Sequence, residues 1–81
     1  MTRVLLFGRL SDLAGWRDRT FVPAPDRLSS LKARIRSEDA ALGEALDGSG
    51  VQAAVDKAIV RGDAVLRPGC EVAFLPPMSG G

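Results

Sequence analysis

Short apolar runs alternate with polar turns along the chain, a pattern that predicts several short strands and few helices. Residues 2–7 are β-prone and carry apolar side chains on both faces, which predicts a strand inside a sheet. Residues 17–22 are more polar and alternate, so they predict an edge strand with Phe21 pointing inward. Residues 10–14, between the two, are expected to form a single helical turn.

One helix is clearly marked. Leu28, Leu31 and Ile35 recur at helical spacing, which predicts an amphipathic helix with its apolar side on a core. Asp26 precedes this pattern, and its carboxylate is expected to cap the first turn. After an acidic break, residues 40–46 are expected to form a second, shorter helix.

The second half of the chain predicts three more strands. Residues 51–55 and 58–60 form a predicted hairpin, with its turn at residues 56–57. Pro68-Gly69 has the residue order of a type II turn. Residues 71–75 follow it as the last strand.

The order strand, strand, helix, strand, strand, strand places one helix between two hairpin-like units. Such a helix must pack on one face of a single mixed sheet. We therefore predict an α+β protein with the β-grasp (ubiquitin-like) fold, in which about five strands pack on one main helix. Residues 1–75 are expected to form the domain, and residues 76–81 a flexible C-terminal tail.

Composition narrows the possible functions. The 81 residues carry a net charge of +1 with no basic block, so neither nucleic acid nor an anionic membrane is expected as a partner. No apolar run is long enough to span a bilayer, and we expect no signal peptide before the first strand. With no histidine and one cysteine, no classical zinc site is expected. The absence of histidine and tyrosine also leaves few acid–base groups near neutral pH, so no catalysis by this chain alone is expected.

The single cysteine, Cys70, excludes an internal disulfide framework and is consistent with a cytoplasmic location. Its thiol could carry sulfur as a persulfide, or be an unreactive group beside a turn. We favour the second interpretation, because only Arg67 supplies a nearby positive charge in the sequence.

The C-terminal run is the most informative segment, because it has no charge after Glu71 and ends in Gly80-Gly81. Pro76-Pro77 favours a stiff, extended backbone, and glycine passes where a Cβ would not fit. These properties suit a terminal carboxylate that is threaded into the active site of a partner. A chance ending or a cloning remnant is the alternative interpretation.

The run from Glu71 to Gly81 resembles the C-terminus of the small subunit of molybdopterin synthase, in which an acidic residue, an apolar strand and two prolines precede a terminal diglycine. Residues 10–15 resemble the first loop of that family. Asp56 and Cys70 depart from its pattern, but both lie in predicted turns. The resemblance covers the whole domain, and only the tail is specific.

The resemblance implies a sulfur carrier. In this family an E1-like activating enzyme uses ATP to adenylate the terminal carboxylate, here that of Gly81, and sulfur then replaces AMP to leave a thiocarboxylate. The large synthase subunit accepts the tail, and sulfur passes to cyclic pyranopterin monophosphate during molybdenum cofactor biosynthesis. The family also implies two copies of each subunit, and no cofactor bound by this chain.

We expect Met78, Ser79 and Gly80 to enter the partner. The expected docking residues at the base of the tail are Phe74, Leu75, Pro76 and Pro77. A tail of six residues reaches about 20 Å when extended, so the domain must dock at the mouth of the pocket. We therefore expect an apolar patch on the exposed sheet face, near the tail.

Three other functions remain open from the sequence. The chain could donate sulfur for thiamine, cysteine or tRNA thiolation. It could be a ubiquitin-like modifier that joins Gly81 to lysines of other proteins. It could also be a plain β-grasp binding module whose diglycine is incidental.

Overall fold

A computed structural model describes residues 1–77 of the chain. The sheet is built from five strands: β1 (Thr2–Leu6), β2 (Asp18–Phe21), β3 (Gln52–Val55), β4 (Ala58–Val60) and β5 (Glu71–Leu75). Three helices complete the domain: α1 (Arg9–Ala14), α2 (Leu28–Glu38) and α3 (Ala40–Leu46). Each predicted element is present, and the bounds differ by a few residues at most.

The sheet is mixed, with the strand order β2-β1-β5-β3-β4. The first and last strands, β1 and β5, pair in parallel at its centre, with Val4 opposite Val72 and Leu6 opposite Phe74. The other three pairings, β1 with β2, β3 with β5 and β3 with β4, are antiparallel. This is the predicted β-grasp arrangement, in which α2 and α3 lie between the two hairpin units along the chain, while α1 connects the two strands of the first unit.

One face of the sheet and the helices enclose the core. Phe21 points inward from the edge strand β2, as predicted, and is almost fully buried. The helix α2 contributes Leu28, Leu31 and Ile35 to the same cluster. The short helix α3 packs beside α2 and closes the end of the core with Leu42 and Leu46.

The β3–β4 hairpin turns on two residues, Asp56 and Lys57, which both have positive φ (48° and 72°). Two consecutive residues of positive φ are typical of a type I′ turn, whose twist suits a two-residue hairpin. Gly69 has φ of 86°, and the Cys70 N–H donates to the Arg67 carbonyl at 3.1 Å, as a type II turn requires. Both predicted turns are therefore confirmed.

The capping prediction for α2 is wrong. Asp26 accepts a hydrogen bond from the Ser30 hydroxyl (3.1 Å) and does not cap the backbone. The cap comes from Asp63, in the loop after β4, whose carboxylate accepts from the Ser29 N–H at 2.8 Å and from its hydroxyl at 2.9 Å. Asp63 reaches the helix because the Leu28 N–H bonds to the Ala64 carbonyl at 2.8 Å, which ties the loop to the helix start.

Helix α3 is capped locally. Asp39 precedes it in extended conformation and accepts a hydrogen bond from the Leu42 N–H at 3.1 Å. A side-chain oxygen placed in this way satisfies one of the free N–H groups of the first turn. The same Asp39 follows the last residue of α2, so a single residue in extended conformation separates the two helices.

We predict that Leu31→Ala and Ile35→Ala each reduce the free energy of unfolding by roughly 2–5 kcal/mol, since both side chains are fully buried and would leave cavities. Urea titration followed by circular dichroism measures the loss. Leu13→Ala is the matched control, because Leu13 is about half exposed and should cost much less. A loss well below about 1 kcal/mol at both core positions would contradict the packing of α2.

The Asp63 cap predicts a pH dependence. Hydrogen bonds from the backbone and hydroxyl of Ser29 hold the pKa of Asp63 below its ordinary value. The carboxylate therefore contributes its stabilisation fully above the unfolded pKa of about 4, and loses it as pH falls through the lower folded pKa.

Accordingly, Asp63→Ala should destabilise the protein at pH 7 and differ less from wild type at pH 2–3. Urea titrations of both proteins at several pH values measure the difference. Asp63→Asn separates the charge from the hydrogen bonds, because its amide oxygen can still accept from the Ser29 N–H. A difference that stays constant over the whole pH range would contradict the charged cap.

Candidate functional site: the end of strand β5 and the outer sheet face

The tail leaves the domain from the central strand of the sheet. Strand β5 ends at Leu75, and Pro76 and Pro77 follow it directly, with no linker. Because β5 lies between β1 and β3, the segment that follows β1 and the segment that precedes β3 lie on either side of its end. Pro76 is half-buried, as Leu75 is, and Pro77 is exposed. The division into a domain of residues 1–75 and a tail of residues 76–81 stays a prediction.

The side chains of β5 alternate between the two faces of the sheet. Val72 and Phe74 face the core and are fully buried, while Glu71, Ala73 and Leu75 are half-exposed on the opposite face. Phe74 was predicted to dock a partner. That prediction needs correction, because its side chain has no exposed surface and instead anchors the strand that carries the tail.

Apolar side chains cover the face of the sheet opposite the helices. The register aligns Leu5, Ala73, Ala54 and Ile59 in one row across four strands. Directly paired residues project to the same face, so these four form a continuous strip. We call this strip, together with the two apolar residues beside it nearest the tail, Phe7 and Leu75, the apolar outer face.

The apolar outer face is open to solvent where it is most prominent. Phe7 is 46% exposed and Ile59 48%, and Leu5 and Leu75 are half-buried. None of these four side chains belongs to the buried core cluster. Phe7, Leu5 and Leu75 lie at the end of this face nearest the tail, where an apolar patch was predicted, and Ile59 lies three strands from Leu5 on the edge strand β4. Exposed apolar patches often mark an interaction site.

Charged groups border the apolar outer face in two places. Asp18 lies beside Leu5 on the edge strand β2, and Arg3 and Glu71 lie at the end of the sheet away from the tail. Arg3 forms a two-point ion pair with Asp18, with N–O distances of 2.6 and 3.0 Å, and approaches Glu71 at 3.5 Å. The hydrogen bond from Arg3 holds the pKa of Asp18 below its ordinary value. These charges already satisfy one another, so the apolar end near the tail remains the part of this face available to a partner.

A cleft of about 390 Å³ lies on the helix side of the tail root. Its walls include Leu10 and Leu13 of α1, Val51 before β3, and both prolines. Apolar surface therefore adjoins Pro76 and Pro77 on the helix side as well as at the outer face. The root of the tail is an apolar region rather than a cluster of catalytic side chains.

The other candidate groups are not placed for chemistry. Cys70 is buried, and burial, followed by the charge of Asp56, raises the pKa of its thiol, which disfavours the reactive thiolate. Within residues 1–77, no three histidine, cysteine or acidic side chains are grouped as metal ligands. Of the helices described, none is long and apolar enough to cross a membrane.

Four predicted site residues, Met78, Ser79, Gly80 and Gly81, lie outside the described residues. The structure brings Leu75, Pro76 and Pro77 together at the tail root, and it moves Phe74 to the core. The sequence predicted an exposed apolar patch but did not indicate Leu5, Ala54 or Ile59 as its members. Leu5 could have been assigned to the outer face from the sequence, because it alternates with Val4 and Leu6, which face the core. The position of Ile59 on this face could be assigned only from the pairing of β3 with β4.

The solved structures most similar in fold include two small archaeal modifier proteins. The crystal structure of small archaeal modifier protein 1 from Haloferax volcanii matches with a TM-score of 0.82 and 21% identity, over 99% of this chain and 98% of the other. The solution structure of small archaeal modifier protein 1 from Methanosarcina acetivorans matches with a TM-score of 0.84 and 19% identity, over 99% and 95%. At such identities these matches confirm the ubiquitin-like β-grasp fold.

A third structure, a putative molybdopterin converting factor subunit 1 from Pyrococcus furiosus, is 27% identical, with a TM-score of 0.77 over 95% of this chain and 97% of the other. Among curated proteins, the molybdopterin synthase sulfur carrier subunit of Escherichia coli K12 is 34% identical over the full length of both chains. The family model that matches spans residues 4–81 and is that of the ThiS family. The resemblance found in the sequence is thereby confirmed, and the chain belongs to the ThiS family.

Proposed function

We propose that this protein is the sulfur-carrier subunit of a molybdopterin synthase, with the carboxylate of Gly81 as the group that carries sulfur. The observation that carries the proposal is that the central strand β5 continues without a linker into the tail, beside an apolar outer face. Full-length similarity to the Escherichia coli sulfur carrier subunit supports the same function. That the carried sulfur is used in molybdenum cofactor biosynthesis is likewise part of this proposal.

The chemistry begins with activation of a poor electrophile. A carboxylate oxygen of Gly81 attacks the α-phosphorus of ATP in a partner enzyme, and pyrophosphate leaves. A sulfide equivalent (HS⁻) then attacks the acyl carbon of the glycyl adenylate and displaces AMP. Loss of the sulfur-bound proton leaves a thiocarboxylate at Gly81. The thiocarboxylate delivers its sulfur to the pterin precursor in the large synthase subunit.

This chain supplies the reacting terminus and the surface that positions it. It contains no histidine or tyrosine, so the acid–base groups and the oxyanion stabilisation must come from the partner. Burial of the apolar outer face against the partner would hold the root of the tail at the pocket mouth. Docking converts delivery of the terminus into an intramolecular step, and effective concentrations of tethered groups can reach the millimolar range.

The main test is the intact mass of the protein after co-expression with its activating enzyme. A sulfur carrier gains the mass difference of one oxygen replaced by sulfur at its own terminus. A ubiquitin-like modifier would instead appear as covalent conjugates on other proteins, and a plain binding module would show neither change. Purified thiocarboxylate is then mixed with the large synthase subunit and the pterin precursor, and transfer to a thiamine or tRNA system serves as the comparison.

We predict that one alanine added after Gly81, or deletion of Gly81, abolishes sulfur loading and leaves thermal stability unchanged. The added residue moves the carboxylate away from the reacting position, whereas every residue of the described core cluster lies at or before Phe74. Mass spectrometry measures loading, and thermal unfolding measures stability. A lengthened chain that still supports molybdopterin formation would contradict the role of Gly81.

We also predict that Ile59→Asp weakens association with the large subunit at least about tenfold, because a desolvated charge in an apolar interface costs more than about 1.4 kcal/mol. The free energy of unfolding should change by about 1 kcal/mol or less, since Ile59 lies outside the core on an edge strand.

Val65→Asp is the matched control, because Val65 is also exposed but belongs to the loop bridged to Arg27, away from the apolar outer face. Isothermal titration calorimetry with the purified large subunit measures both affinities. Equal affinities for the two variants would contradict docking through the apolar outer face.

A further inference from the structure

Two glycines of the chain lie on either side of the tail root. Gly8 comes two residues after the end of β1, and Gly50 comes two residues before the start of β3. Strand β1 runs parallel to β5 and β3 runs antiparallel to it, so the end of β1 and the start of β3 lie at the edge where β5 ends. The topology thus places one glycine on each flank of the first two tail residues.

Both glycines approach the prolines too closely for a side chain. A Cβ added to Gly50 would lie 2.7 Å from Cβ of Pro77 and 3.5 Å from its Cα. A Cβ added to Gly8 would lie 3.0 Å from Cγ of Pro76. The proline ring cannot rotate away as a flexible side chain would, because it is closed onto its own backbone.

The two prolines therefore occupy a slot whose walls are glycine backbone. Gly8 has φ of 57° with ψ of −131°, and Gly50 has φ of 82°, backbone conformations that side-chain-bearing residues rarely adopt. The backbone conformation at Gly8 and at Gly50 thus favours glycine at both positions. Because glycine has no side chain, each also leaves room for the neighbouring proline ring. Because Pro77 directly follows Pro76, the backbone of this segment is limited to an extended conformation.

We propose that Gly8 and Gly50 are positioning residues, which set the direction in which the chain leaves the sheet after Pro77. We call the pair, with the two prolines between them, the exit slot. The proposal deepens the function proposed above and rests on it, because direction matters only if the terminus must reach a partner's reacting atoms.

The exit slot shortens the part of the tail that must search for its target. With Pro76 and Pro77 held against the domain, residues 78–81 can span at most about 13–14 Å when fully extended, rather than the 20 Å expected for six residues. A shorter, directed segment loses less conformational entropy when it enters a pocket. A change in exit direction should consequently affect the reaction of the terminus more than the docking of the domain.

The kinetic test compares Gly50→Ala with Gly69→Ala in adenylation by the purified activating enzyme. The two glycines have similar φ (82° and 86°), so alanine is strained at both, but nothing lies within 4 Å of a Cβ added to Gly69. We expect Gly50→Ala to lower kcat about tenfold or more while KM for the carrier changes less than about twofold. Gly69→Ala should change neither value.

A second substitution distinguishes a changed direction of the tail from a general loss of folding or stability. Pro77→Gly removes the Cβ that Gly50→Ala would meet, so Gly50→Ala should have little further effect on kcat in that background. If Gly50→Ala does not fold, the same cycle is run with Gly8→Ala and Pro76→Gly, which meet on the other flank. Independent, additive losses in the double variants would overturn the exit slot.

A measurement on the isolated protein tests the exit slot independently of the proposed function. A nitroxide is attached to Ser79→Cys under native conditions, where the buried Cys70 is protected, and amide line broadening is recorded at Leu13 on the helix side and Ile59 on the outer face. We expect Gly50→Ala to change the ratio of broadening at these two positions, and Gly69→Ala to preserve it.

The outcomes are distinct. If the wild-type chain is never adenylated, the proposed function fails, and the broadening ratio alone decides the exit slot. If the wild type is adenylated but Gly50→Ala behaves as Gly69→Ala does, in kinetics and in broadening, the exit slot is wrong and the proposed function stands.

Discussion

The parallel pairing of β1 with β5 is the constraint on which the rest of the structure depends. It joins the first and last strands of the chain at the centre of the sheet, where Val4, Leu6, Val72 and Phe74 are all buried. A parallel pair needs a long crossover, and the segment between β2 and β3 supplies it with α2 and α3. The helices then cover one face of the sheet and leave the other apolar face open.

The same pairing determines where the terminus emerges. A last strand at a sheet edge would leave the tail with a neighbour on one side only. At the centre, its end lies between the chain after β1 and the chain before β3, which provide Gly8 and Gly50. A rigid core strand anchored by Phe74 thus passes its orientation to the tail through two prolines. This architecture suits a protein whose own terminus is the reacting group.

The two faces of the sheet differ in role: one packs against the helices to form the core, and the other presents an apolar surface. A small domain can therefore be stable and still offer apolar surface to a partner. The helix side is sealed by long residues such as Phe21, Leu31 and Leu46. On the outer face the central row contains Ala54 and Ala73, with larger side chains at Leu5 and Ile59 on either side. The small central residues flatten this face, and a flat apolar surface bordered by paired charges suits association with a larger partner.

Local sequence pattern determined the elements and their order. The helical spacing of Leu31 and Ile35, the inward direction of Phe21 and the turn at Pro68-Gly69 depend on residues close in the chain, so they were predictable. The run from Glu71 to Gly81 likewise indicated the family without any contact being known.

Tertiary structure alone decided which groups meet across long separations. The alternation in β5 required one of Phe74 and Leu75 to face the core, but only the register with β1 and β3 assigned Phe74. The cap of α2 comes from Asp63, 34 residues after Ser29, so no local signal marked it. Gly8 and Gly50 resembled ordinary turn glycines until strand order brought both to the tail, because pairing between distant segments is absent from any short stretch of sequence.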